Sequence, residues 1–117
     1  MPVIGTFEKL DDESYTGTLN TLTVEAAARI MPVEDKRSDK SPDYRVYVRR
    51  AEIGAGWRRT AQESGRAYIS ISLAAPEFGA TPIYASLVQV DAPEGEADPA
   101  IPRGRQHQLI WNPQNGG

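Results

Sequence analysis

Hydrophobic and polar residues alternate with a period of two along most of the chain, the spacing that sends successive side chains to opposite faces of a strand. In Ala67–Leu73 (AYISISL), Ile69, Ile71 and Leu73 take one face, and Tyr68, Ser70 and Ser72 the other. Tyr44–Arg49 (YRVYVR) sets Tyr44, Val46 and Val48 against Arg45, Tyr47 and Arg49. Ile53–Thr60 (IGAGWRRT) puts Ile53, Ala55 and Trp57 in one phase and Gly54, Gly56 and Arg58 in the other. The apolar phase is expected to face inward, which assigns Trp57 to the core. Ile83–Val90 is apolar on both sides, as a central strand would be. With Val3–Lys9, Tyr15–Leu22 and Gln108–Trp111, the pattern predicts about seven strands.

One segment is ambiguous. Thr23–Met31 (TVEAAARIM) has a capping threonine and three alanines, which favour helix locally. At under three turns an isolated helix is weak, and Pro32 stops it, so strand is the preferred reading. Between the periodic segments lie clear turns. Asp11-Asp12-Glu13-Ser14 is a polar turn, and Gln62–Gly65 is a hairpin turn with glycine where a positive φ is needed. Ala74–Pro82 is a loop anchored by Phe78. Segments 34–43 and 92–106 are rich in charge, proline and glycine and are expected to be mobile loops. The prediction is therefore all-β: one domain over 1–117, a single antiparallel sheet curled into a small barrel or a sandwich.

Composition narrows the function more than the fold. The 117 residues contain no cysteine, which excludes disulfides, thiolate metal sites and a cysteine nucleophile and fits a cytoplasmic location. No apolar run is long enough for a membrane helix, and the N-terminus lacks the pattern of a signal peptide. The net charge of −3 hides a division: residues 1–35 sum to −5, residues 36–66 to +5, and residues 67–117 to −3. An acidic chain does not coat nucleic acid by bulk charge. A basic block within it still permits a local phosphate-binding strip.

The order of Ile4-Gly5-Thr6-Phe7, Tyr15-Thr16-Gly17-Thr18-Leu19, Asp43-Tyr44-Arg45-Val46, Glu52-Ile53-Gly54-Ala55-Gly56-Trp57-Arg58-Arg59-Thr60, Tyr68-Ile69-Ser70-Ile71-Ser72-Leu73, Pro82-Ile83-Tyr84-Ala85 and Leu109-Ile110-Trp111 resembles a proteobacterial family catalogued as domain of unknown function 736. The resemblance spans about Val3 to Trp111. It implies a small cytoplasmic protein with no established activity, of a kind often encoded on plasmids and integrative elements, and it brings no catalytic residues to transfer. Two places depart from the family pattern. Arg49-Arg50-Ala51-Glu52 stands where a glycine-containing turn is expected, and Ala92–Gln106 looks like an insertion.

Enzyme chemistry finds little footing. The single histidine, His107, reads as an exposed or strand-end residue, and no serine sits in a nucleophile elbow. Asp11-Asp12-Glu13 lacks the spaced ligands of a cation loop, and Gly54-Ala55-Gly56 lacks the third glycine and the helix of a dinucleotide site. No enzyme, cofactor or metal is expected. The remaining signal is a face of arginine, tyrosine and serine. If the apolar phases point inward, Arg45, Tyr47, Arg49, Arg58 and Tyr68 share the outer face, with Arg50, Arg59 and Arg66 at the strand ends. Single-stranded DNA or RNA needs such cations for phosphates and such rings for stacking. The plain alternative is a wet face covered by long stems and rings. A second functional reading is a module that binds a host protein through its acidic segments, as a DNA mimic. For association, two outcomes are open: a homodimer through an unpaired outer strand, or a closed barrel with no free edge.

Overall fold

The alternation is realised as eight strands, all antiparallel to their neighbours in sequence. They are β1 (Val3–Lys9), β2 (Tyr15–Asn20), β3 (Glu25–Pro32), β4 (Tyr44–Val48), β5 (Ala51–Thr60), β6 (Ala67–Leu73), β7 (Ile83–Gln89) and β8 (Gln106–Asn112). The computed structural model describes residues 3–21, 25–34, 37–75, 81–89 and 105–112. β8 pairs with β1, so the sheet closes into a barrel. Of the two outcomes left open for the sheet edges, the protein adopts the closed ring, and the edge on which a strand-paired dimer would form is absent. No helix among the described residues is long and apolar enough to cross a membrane.

The eighth strand is the ambiguous alanine segment. Ala28 and Ile30 turn into the core while Arg29 is exposed, and the segment is hydrogen-bonded to β2 on one side and β4 on the other. Two ladders outweigh a local helical preference that is weak at this length. Pro32 comes last in the strand, where its missing donor costs least.

The lumen is narrow and filled by Phe7, Leu19, Ile30, Val46, Ile71, Leu73, Leu87 and Leu109, all essentially inaccessible to water. Eight strands cannot each send a large side chain into so small a ring, so some inward seats are empty. Gly17 is one: a Cβ there would lie 2.0 Å from the Thr6 carbonyl oxygen and 2.7 Å from the Phe7 Cα. Gly54 and Gly56 are two more, with Ser72, Leu73 and Ile71 occupying the space a Cβ would need.

This overturns the expected phase of β5. Gly54, Gly56 and Arg58 are the inward series, opposite Leu73, Ile71 and Ile69 of β6. Ala55 and Trp57 face outward, whereas Ile53, at the irregularity in the β4–β5 ladder, packs against the core. Trp57 is therefore a half-buried residue of the outer wall and not part of the core; its indole Nε1 donates to the Lys40 carbonyl at 3.0 Å. The apolar phase misled because backbone and neighbouring side chains, not residues of β5, fill that sector of the lumen.

The turns follow the residue chemistry. Gly65 has a φ of 71° in the β5–β6 turn, as expected there. Val48 pairs with Ala51, leaving Arg49-Arg50 as a two-residue turn in which Arg49 takes the φ of 57° that favours glycine. The last strand begins at Gln106, two residues earlier than expected, so Arg105 and Gln106 belong to the structured end of segment 92–106. The rest of that segment, Phe78, and residues 35–36 of segment 34–43 lie outside the described residues.

Candidate functional site

The register divides the predicted arginine and tyrosine residues among three places. On the outer wall, β4 and β5 carry Arg45, Tyr47, Trp57 and Arg59, and Arg59 is paired across the ladder with Tyr68 of β6. Arg29 of β3 is paired with Tyr47, its guanidinium lies 5.7 Å from the centre of that ring, and its Nη2 donates to the Arg49 carbonyl at 2.9 Å. Arg49 and Arg50 form the turn at one end of this strip, and Arg66 lies in a turn at the other end of the barrel. Arg58 does not belong to the wall, because it is in the inward phase.

Followed along β5, the wall reads as cations and rings in succession. Arg49 and Arg50 come first, then Tyr47 with Arg29, then Arg45, then Trp57, then Arg59 with Tyr68. At about 3.3 Å per residue the strip runs for roughly 25 Å. Two acids touch it: Asp43 accepts from the Arg58 backbone N–H at 2.9 Å, and Glu52 sits 3.6 Å from Arg45, with both side chains about half exposed. A pair so open to solvent holds its partners weakly and gives way to a stronger anion. Sequence reasoning missed Arg29 and Trp57. Arg29 lay in the segment of uncertain type, and Trp57 was assigned to the wrong face.

Arg58 belongs to a second place, the open end of the lumen. Here β2, β4, β5 and β8 bring Tyr15, Tyr44, Arg58 and His107 to one mouth, with Ile69 and Leu87 as its floor. The cavity is about 830 Å³ and also reaches Arg59 and Tyr68 at the rim. Tyr15 and Tyr44 meet edge to face with centroids 6.0 Å apart, and Tyr15 meets the His107 ring at 4.9 Å. The Arg58 guanidinium stands 5.2 Å over the Tyr44 ring, and its Nε donates to the Tyr44 hydroxyl at 3.3 Å. That hydrogen bond, with the nearby acids, holds Arg58 more firmly charged than an arginine in water. Burial, reinforced by Tyr44 and Glu13, pushes the Tyr15 phenol up to about 12. His107 lies at a strand end, as expected, but is buried and not exposed; its Nδ1 is 3.1 Å from the Arg105 carbonyl. Because a carbonyl only accepts, Nδ1 carries the proton.

The acids of the 11–13 turn have separate partners. Asp12 accepts from Ser14 through both the backbone N–H (3.0 Å) and the hydroxyl (2.5 Å), which holds its carboxyl below the usual range. Asp11 pairs with Arg105, and Glu13 lies 3.8 Å from Arg58. The trio at 11–13 thus closes a turn and balances arginines at the mouth. Among the described residues no cluster of three or more His, Asp or Glu is placed to hold a metal ion.

Neither curated proteins nor solved structures include a match to this chain. The model of one family, described as a protein of unknown function (DUF736), matches residues 3–114, nearly the whole length, and the chain belongs to that family.

Proposed function

We propose that this protein is a non-enzymatic, cytoplasmic accessory protein, of the kind mobile genetic elements carry, that binds single-stranded DNA or RNA along the outer wall of β3–β6. The observation that carries the reading is the outward turn of Trp57 into a strip that already holds Arg29, Arg45, Tyr47, Arg59 and Tyr68. Phosphates need cations at intervals along a groove or strip, and unpaired bases need planar faces between them. Duplex DNA is a poorer fit, since the wall is a convex sheet with no helix or ribbon to enter a groove.

Titration of a short fluorescent single strand into the protein at low salt tests the proposal. Affinity should fall as salt rises, with a log–log slope of roughly −0.7 for each phosphate neutralised. Reversing Arg45, Arg49 and Arg59 together to Glu should abolish binding while the thermal transition survives. Trp57→Ala should weaken binding by about tenfold, the value of one stacked base. Absence of binding at low salt to single-stranded or duplex DNA or RNA would end the proposal.

A further inference from the structure

The barrel mouth is chemically unlike the outer wall. It is concave, its floor is apolar, and its sides are aromatic rings around one inward-facing guanidinium. The size of the cavity, about 830 Å³, falls within the range of roughly 300–1,000 Å³ typical of sites for small organic molecules. Arg58 reaches it because β5 presents glycine, glycine and arginine inward, so nothing else on that strand occupies the lumen above Ile69.

From this geometry we infer that the mouth is a binding site for a small flat anion, an aromatic ring bearing a carboxylate or phosphate. Arg58 pairs with the anionic group, and the ring lies among Tyr44, Tyr68 and the apolar floor of Ile69 and Leu87. Two features of the rim support an exchangeable anion. Arg58 is at present answered by Glu13 at 3.8 Å, with both side chains some three-fifths exposed, a contact that a bidentate anion readily displaces. Glu13 itself lines the cavity edge, with a backbone φ of 66°. A ring is proposed beside the charge because Tyr15, Tyr44 and Tyr68 line the cavity together with Ile69 and Leu87.

The mouth shares Arg59 and Tyr68 with the wall at its rim, and the inference is tested separately. Benzoate and adenosine monophosphate serve as ring-bearing anions, with adenosine and inorganic phosphate as the ring without the charge and the charge without the ring. Binding is followed by NMR shifts of the intact protein. At least one ring-bearing anion should bind saturably and shift Tyr44, Ile69 and Leu87; which of the two binds decides between carboxylate and phosphate. Arg58→Gln should weaken it by about tenfold or more, as loss of a charged hydrogen bond does. Glu13→Gln should tighten it by about threefold by removing a competing carboxylate. A variant reversed only at Arg45 and Arg49, which do not line the cavity, should leave shifts at the floor residues in place. No saturable binding of either anion, binding indifferent to Arg58→Gln, or inorganic phosphate alone binding as tightly would each overturn the inference.

Discussion

The two ends of the lumen are built by the same eight strands in the same phase, yet one is plugged and the other is a cup. Toward the β4–β5 turn the inward positions are Leu19, Leu73 and Leu109, buried to within 2% of full exclusion, with Val48 and Ile83 packed beside them. A few residues along, toward the β5–β6 turn, the same phase delivers Tyr15, Tyr44, Arg58 and His107. Phe7, seated over Gly17, separates the two regions. A ring this narrow can be filled by large residues in its middle and at one end, and whatever lies beyond is free to be polar. The plugged end holds the fold together; the cup gives up some burial and keeps a concave surface of mixed chemistry.

Substitution at matched positions tests the contrast most directly. Leu73→Ala should cost about 2–5 kcal/mol in urea unfolding, because it leaves a hole in a packed region. Tyr44→Phe and Arg58→Gln, at the cup, should each cost less than about 1 kcal/mol, since their polar atoms are only partly withdrawn from water. Equal losses at both ends would erase the distinction.

A titration gives the next largest effect. Tyr15 keeps its proton to about 12 in the folded protein, above its ordinary value of 10. The fold therefore favours the neutral phenol: the stability this contributes is complete below pH 10 and is lost as pH rises through 12. Absorbance of tyrosinate should show one of the five tyrosines ionising late, and Tyr15→Phe should remove that last step. A uniform titration of all the tyrosines near their ordinary value would mean that the cup is as wet as bulk solvent.

The smallest effect sits at the rims, each of which has one charged residue with positive φ, Arg49 at the plugged end and Glu13 at the cup. Glycine relieves the strain at either position but adds freedom to the unfolded chain, so Arg49→Gly and Glu13→Gly should each stabilise by about 0.5 kcal/mol. Calorimetry would detect the gain. Only Arg49→Gly should also reduce binding of a single-stranded oligonucleotide, and a loss on Glu13→Gly would connect the cup to the wall.

The sequence made most strands legible, and for a plain reason. In residues 68–73 and in Tyr44–Val48 each inward seat holds a large apolar residue or tyrosine and each outward seat a more polar one, so the period identifies the face. β5 breaks the rule because two of its inward seats are filled from β6, a fact stored in the neighbour's side chains. The cup was illegible for a related reason. Tyr15, Tyr44, Arg58 and His107 are far apart in the chain and meet only because the ring closes, and no local pattern announces closure. The wall was half legible: Arg45, Tyr47 and Tyr68 were recognised from alternation and Arg59 only as a strand-end residue, whereas Trp57 and Arg29 needed the register.

The pairing of β1 with β8 has a consequence for the order of assembly. Seven of the eight ladders join strands adjacent in sequence, across connections of two residues at Arg49-Arg50 to sixteen at 90–105. The last joins the segment beginning at Val3 to the segment ending at Ile110, and so closes a loop of roughly a hundred residues, at an entropic cost that local contacts do not face. Loop-closure entropy places that seam late in folding, after the ladders between strands adjacent in sequence. Until it zips, two strand flanks stand unpaired, and a nascent chain is exposed to self-association that the finished ring resists.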